Sequence, residues 1–338
     1  MIAKDGNSAL DTVCVYRQPK EVVLLSSIAI LRPGEKLTSD YLCYYLDAEE
    51  TRTMLKEGYR SGSAIPRVVL RDFRRAPIPL PPLETQLAIG KTLRTLDDKI
   101  ELNRHMSQTL EAIAQAIFKA WFVDNSPDPA KPATLKDLTS KIGSGATPRG
   151  GRDVYVGEGV ALIRSQNVYD SQFVWDGLAR ITDEAASQLA NVQVQPGDVL
   201  LNITGASILR TCVVPRDVLP ARVNQHVAII RAKPGVSPHY LHLHLLQPET
   251  KAYLLGLNAG GSREAVTKAH IESVPLMDPG AELMSAFLQA VGPLFALAQS
   301  LDAENRNMAS LRDELLPKLL SGELKPGILE EADAAMIA

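Results

Sequence analysis

The chain repeats itself. With Gly6 placed over Gly205, IAKDGNSALDTVCVYR lies along LNITGASILRTCVVPR, SSIAILRP along QHVAIIRA, and YLCYYLDAEETRTML along YLHLHLLQPETKAYL. About seventeen of the first 63 ungapped positions are identical, where ordinary residue frequencies give roughly four or five. After a small shift APIPLPPLETQ matches SVPLMDPGAEL, and a long helical segment follows in both copies. A repeat of this size constrains the architecture before any local reading, because the second copy folds as the first does. The order is a partial β-rich block, a long helix, a full β-rich block and a second long helix. Residues 134–198 have no counterpart in the first copy, so the first block reads as a domain without its front half.

Local patterns give each block a mixed character. VVLLSSIAIL, DVLLNIT, RTCVVP and VNQHVAIIRA are short runs rich in Val, Ile and Leu between Gly, Pro, Asn and Asp, and they read as strands. SDYLCYYLDAEETRTMLKEGY and SPHYLHLHLLQPETKAYLLGL read as short helices with Ser caps near their starts. The fold class is therefore α/β mixed (α+β), with two domains joined by long antiparallel coiled-coil helices. The boundaries expected are a partial first domain at 1–82, a long helix at 83–124, a Pro-rich linker at 125–133, a complete second domain at 134–280, a second long helix at 281–325 and an acidic tail at 326–338.

The stretch LDDKIELNRHMSQTLEAIAQAIFKAWF, residues 96–122, holds no Gly and no Pro. In it Leu96, Ile100, Asn103, Leu110 and Ile117 fall near one stripe. In the second helix Leu297, Leu301, Met308 and Leu311 do the same, with Glu304 interrupting the row. A helix of about 40 residues spans about 60 Å and cannot bury such a stripe alone. The economical solution is for the two to pair, with Asn103 fixing their register.

Composition excludes more than it assigns. The net charge is −3. Residues 1–80 carry about +2 and residues 134–280 about +1, while the segment after 280 carries about −5. This balance neither requires nor excludes DNA as a partner. The three cysteines form no CxxC, which fits reduced thiols. The longest apolar run, 22–31, is too short to cross a membrane, and the N-terminus lacks a signal architecture, so a cytoplasmic protein is expected. There is no GxGxxG, no GxxxxGK[ST], no HExxH, no GxSxG and no NPPY- or DPPY-like stretch, so no enzymatic reading has a motif behind it. No metal site is expected, because the His pair of an HxH on a helix does not share one face.

The segments IPLPPLETQLAI, LDDKIELNRHMSQTLEAIAQAIFKAWFVD, GDVLLNITGASILRTCVVP, VNQHVAIIRAKPGVSPHYLHLHL and LLPKLLSGEL resemble, in order, those of the specificity (S) subunits of Type I restriction–modification systems. The resemblance implies a non-catalytic subunit whose two target-recognition domains each read one half of a split DNA site. It implies double-stranded DNA and modification subunits as partners, with restriction subunits joining them in some assemblies. Adenine N6 methylation would then be done by the modification subunits. S-adenosylmethionine and ATP would be bound by those partners, and the chain itself would hold no cofactor. The first domain departs from the family pattern, since IAKDG normally follows a Gly-Asp pair. A misassigned start, a split gene, and a genuine short form in which two copies pair remain open. The alternative function is a protein that assembles with modification subunits, or acts as a decoy, without reading DNA.

Candidate DNA-contacting residues follow from side-chain chemistry. Arg149 and Arg152 sit in the Gly-rich loop GSGATPRGGR, and guanidinium groups suit phosphates and guanine edges. Arg164, Gln166 and Asn167 end a strand, and Gln and Asn suit adenine. Ser262, Arg263 and Lys268 follow a Gly pair, with Ser61, Ser63 and Arg67 as their counterparts; such loops let a backbone approach phosphate closely. Asn224, Gln225 and His226, at the start of a strand, read as structural.

Overall fold

The computed structural model describes residues 1–6, 9–61, 67–125, 131–257 and 265–326, the side chains of 59–61 excepted. In chain order the elements are β1 (Ile2–Ala3), β2 (Ile28–Ala29), α1 (Ser39–Asp47), α2 (Glu49–Tyr59), β3 (Arg60–Ser61), β4 (Arg67–Val68), α3 (Leu70–Phe73) and α4 (Leu83–Phe118). Helix α4 runs on as a π-helical turn, Lys119–Asp124. Then come β5 (Lys131–Thr134), α5 (Leu135–Leu138), β6 (Thr139–Ser144), β7 (Tyr155–Ile163), β8 (Val168–Tyr169), β9 (Gln172–Phe173), β10 (Ala179–Ile181), α6 (Asp183–Gln188), β11 (Val199–Asn202), β12 (Thr211–Val213), β13 (Ala221–Val223) and β14 (Val227–Ala232). Helices α7 (Pro238–Leu246), α8 (Pro248–Leu257) and α9 (Lys268–Glu272), strand β15 (Pro275–Asp278) and the 42-residue α10 (Gly280–Ser321) complete the order. The chain divides into two compact units: Met1–His105 with Leu301–Ala338, and Met106–Ser300. Each block thus shares its unit with parts of both long helices.

In the second unit, β12, β11, β14 and β6 form an antiparallel sheet in that order, and β10, β7 and β13 form a second sheet in which β13 runs parallel to β7. Strand β11 shows why two cores arise. Successive side chains point to opposite faces, so Leu201 and Ile230 enter a core with Tyr240, Leu241, Phe118, Phe122 and Phe287. Leu200 and Ile229 enter another with Leu162, Ile163 and Val223 from the second sheet. Strand β14 is buried on both faces for that reason. A charge pair with its carboxylate buried and its guanidinium half-buried closes one edge: Arg231 Nε and Nη2 donate to Asp198 at 2.7 and 2.8 Å, and the Gln195 amide donates to the same carboxylate at 2.7 Å.

The first unit repeats half of this residue by residue. Ile2 pairs with Ala29 and Ala3 with Ile28, as Leu201 pairs with Ala228 and Asn202 with Val227. Leu10 and Leu209 both take a positive φ, 72° and 66°, a conformation that costs a non-glycine residue about 1–2 kcal/mol. Each is held by its amide donating 2.8 Å back to the strand, to the Ala3 or Asn202 carbonyl. The hydroxyls of Tyr41 and Tyr240 donate to the carbonyls of Pro79 and Met277 at 3.1 and 2.5 Å. The core of Ile2, Leu10, Ala29, Leu42, Leu46 and Leu55 reproduces Leu201, Leu209, Ala228, Leu241, Leu245 and Leu254.

Three local expectations change. Of VVLLSSIAIL only Ile28–Ala29 is a strand, and residues 22–25 have no ladder. Their counterpart β13 is a strand because β7 pairs with it; among the described residues of the first unit no such strand is present. The paired helices are also split, at Ala48 and Gln247, both extended (ψ 135° and 137°). Pro248 enforces this in the second copy. Thr38, rather than Ser39, caps α1.

The long helices meet antiparallel within each unit. In the first, Asn103 Nδ2 donates to Glu304 and Asn305 at 2.7 and 3.0 Å, Arg312 donates to Asp97 at 2.7 Å, and Ile89 and Leu93 cluster with Leu315, Leu316 and Leu319. In the second, Phe118 and Phe122 pack on Phe287 at 6.1 and 4.9 Å between ring centroids. Of the expected stripe, Asn103, Ile100 and Leu301 are buried, and Leu96, Leu110, Ile117 and Met308 are half-buried. Leu297 and Leu311 are each 43% exposed and lie off the seam. A straight helix of 3.6 residues per turn drifts from a 3.5 repeat, so a stripe extended at fixed spacing rotates away. Part of α10 matches a membrane span by length and apolar composition. Along its length, however, Phe287 and Val291 enter the second unit's core, and Glu304 and Arg312 bond to α4 in the first.

Candidate nucleic-acid interface

A hydrogen-bonded polar surface lies in the second unit, where β6 ends. The Gly145 amide donates to the carbonyls of Asn224 and Val227 at 3.1 and 3.3 Å. A Cβ on Gly145 would stand 1.7 Å from the Val223 carbonyl oxygen, so only glycine fits. This contact pins the start of loop 145–152 to turn 224–226. Gly150 and Gly151, with φ of +113° and +66°, then reverse the loop. Arg149 and Arg152 lie exposed on it, and neither forms an ion pair with a described residue.

A chain of polar contacts ties this loop to two others. Thr147 Oγ1 donates to Gln225 Oε1 at 2.8 Å, and Gln225 Nε2 donates to His226 Nε2 at 2.9 Å. With that nitrogen accepting, His226 Nδ1 carries the proton and faces Thr204 Oγ1 at 2.6 Å. Thr204 forms a β-bridge with Ala265, the first described residue after 258–264. The expected structural role of Asn224, Gln225 and His226 thus has a specific content: they knit the loops that carry the exposed bases. Guanidinium groups without carboxylate partners among the described residues leave a local positive potential even on a chain of net charge −3.

The second predicted cluster is placed differently. Asn167 is fully buried and its amide donates to the carbonyls of Val174 and Asp176 at 2.9 and 3.3 Å. It also accepts from the Arg164 amide at 3.0 Å. It therefore holds the 174–177 turn, and the amide expected to face adenine is instead buried and spent on the protein's own backbone. Arg164 Nη2 and Gln166 Nε2 donate to the Gly177 carbonyl at 2.6 and 3.2 Å, which commits donors of both to the same turn. Lys268, exposed, sits 3.5 Å from Glu272 on its own helix, and Arg67 sits 3.1 Å from Asp5 in the first unit. Ser63, Ser262 and Arg263, and the side chain of Ser61, lie outside the described residues.

One feature escapes a linear reading. Arg210 stacks over the ring of Tyr169 at 4.2 Å from its centroid, and Tyr169 is 39% exposed. An exposed aromatic under a guanidinium is a surface on which a base or sugar can stack. The two residues are remote in sequence and meet because β8 and β9 lie against β12.

The histidines are not ligands in waiting. Burial pushes His239 down to about 4 and His242 down to about 3, and His244 is lowered by the same cause. His239 stacks flat on Phe295 at 4.0 Å, His242 meets Ser171 Oγ at 3.0 Å, and His244 meets the Pro275 carbonyl at 3.0 Å. Among the described residues no three His, Cys, Asp or Glu side chains gather as a metal site would require.

Residues 10–112 match the family model described as the Type I restriction modification DNA specificity domain. Across 89% of the chain and 81% of the relative, it is 25% identical to the Type I restriction enzyme HindI specificity subunit of Haemophilus influenzae. Across 87% and 71% it is 24% identical to the MjaIX specificity subunit of Methanocaldococcus jannaschii. The fold is similar, with a TM-score of 0.54 and 16% identity over 84% of the chain and 73% of the other, to the crystal structure of the Type I restriction-modification S subunit from M. genitalium.

Proposed function

We propose that the chain is a specificity subunit of a Type I restriction–modification system, as the family model and the curated relatives support, and that residues 134–280 read one half of a split DNA site. In this reading, loop 145–152 lays Arg149 and Arg152 on the phosphate backbone or a guanine edge. The polar chain from Thr147 to Thr204 keeps that loop in register with its neighbours. The half-core shared by Leu42 and Leu241, and by Leu55 and Leu254, supports a second reader of the same design in the first block. Modification subunits would dock on the chain and methylate adenine at N6 with their own S-adenosylmethionine. The chain would contribute recognition and no chemistry, and restriction subunits would join the same assembly.

The observation that carries the reading is the pair of exposed arginines on a glycine-pinned loop, without carboxylate partners among the described residues. Its test uses the chain in complex with its modification subunit. Arg149→Ala with Arg152→Ala should weaken DNA binding and flatten its dependence on log salt by about 1.8, roughly 0.9 per lost phosphate contact. Unchanged affinity and slope would remove the loop from the interface. Mapping N6-methyladenine produced by the wild-type complex separates the arrangements. An asymmetric split motif means two different readers. A split palindrome means paired copies using residues 134–280. No methylation from an intact complex would leave the assembly or decoy role.

A further inference from the structure

The first unit carries one half of a domain core uncovered. Val13, Val15, Val22, Leu24 and Ile30 are the positional counterparts of Cys212, Val214, Ala221, Val223 and Ile229. In the second unit those five are at most 1% exposed and lie inside the core between the two sheets. In the first unit Val22 is 50% and Ile30 48% exposed, and all five line an open groove of about 420 Å³. In the second unit the matching face is covered by residues 139–198: β6 pairs along β14, β7 pairs along β13, and Leu162, Ile163 and Ile181 fill the space between.

The charges at this place match as well. Arg32 is the counterpart of Arg231, whose guanidinium is held by the fully buried Asp198. Arg32 also lines the groove, is exposed, and forms no ion pair with a described residue. Among the described residues the first unit thus offers an apolar face, a free edge on β2, an unpaired strand-like segment at 22–24 and a cation whose counterpart in the second unit faces a carboxylate.

From this we infer that the groove is a docking site for a segment built like residues 139–198 and accepts such a segment when it is supplied as a separate polypeptide. That segment adds one strand beside β2 and another, parallel, beside residues 22–24. It covers the five apolar side chains and brings a carboxylate to Arg32. The inference goes beyond the DNA-reading proposal and holds whether or not the completed domain touches DNA.

The test is co-expression of the full chain with a separately encoded, tagged probe polypeptide, residues 134–198 of this same sequence. The expected result is a one-to-one complex in which amides of residues 22–24 and 28–31 become slow to exchange. Val22→Asp with Ile30→Asp, both at exposed positions where the fold tolerates them, should weaken the complex more than about tenfold by burying carboxylates without partners. Arg32→Asp should weaken it too, and Asp198→Arg in the probe should restore it. Self-association of the chain through the same face, with protection at 22–24 appearing without probe, would overturn the inference in favour of a second copy. A complex insensitive to these substitutions, or no complex at all, would overturn it as well.

Discussion

The buried histidines of the second unit make its stability fall on mild acidification, by an amount that can be worked out. His239 and His242 are held neutral, at about 4 and about 3, because burial opposes their charged forms; His239 and Lys251 add to the effect on His242. In the unfolded chain each titrates near 6.5. Above about 6.5 neither state binds the proton, and the stability due to the neutral ring is fully present. Below it the unfolded chain gains protons that the folded unit refuses, and stability drops by about 1.4 kcal/mol per pH step per histidine until the folded values are reached. Between pH 7.5 and pH 5 each residue therefore costs about 2 kcal/mol, and the pair about 4 kcal/mol, a large part of the 5–15 kcal/mol that holds a domain folded. Both tryptophans, Trp121 and Trp175, lie in the second unit, so their fluorescence during urea unfolding follows that unit alone. His242→Gln, which keeps a polar group beside Ser171, should recover about half of the acid loss. Adding His239→Phe, which preserves the stack on Phe295, should recover most of it and leave the share due to His244, which burial also lowers. An acid loss as large in the double variant as in the wild type would refute the reasoning.

Three further outcomes are expected. Asp198→Ala strands Arg231 and the Gln195 amide and should cost about 3 kcal/mol by urea unfolding, whereas adding Arg231→Met should return part of that cost. Gly145→Ala forces loop 145–152 away from the Val223 carbonyl, so DNA affinity in the assembled complex should fall while the helix content seen by circular dichroism stays constant. Asn103→Ala removes two inter-helix hydrogen bonds and should lower the stability of the first unit by about 1–2 kcal/mol, read as faster amide exchange in α4 between Ile89 and Ile100.

The duplication made much of the fold legible, because a repeat predicts positions rather than propensities. Leu10 and Leu209 share a strained backbone angle that neither residue would announce alone. The misread strand at 22–25 has a physical cause: a run of Val and Leu states a preference, but a ladder needs a second chain segment beside it. Leu297 and Leu311 were misplaced because a stripe drawn at 3.5 residues rotates off a straight helix. At the candidate interface, Arg149 and Arg152 were visible as bases among glycines. Asn167 was ambiguous because an amide at a strand end serves a base and a turn equally well, and only the 174–177 turn decides. The Arg210–Tyr169 stack had no local signal, since packing of separate strands creates it.

The division of the chain also sets an order of events during synthesis. The second unit is one continuous stretch, Met106–Ser300, whereas the first joins Met1–His105 to Leu301–Ala338. Asp97 must wait for Arg312, 215 residues later. At roughly 5–20 residues per second that wait is about 10–40 s. By its end the later-made unit has all of its own residues, while Ile89 and Leu93 of the earlier-made one still lack Leu315, Leu316 and Leu319. The last turns of α10 are then a latch that closes the first unit only after the second has been made. A ribosome that stalls before Leu315 leaves that seam open for chaperones and proteases to find.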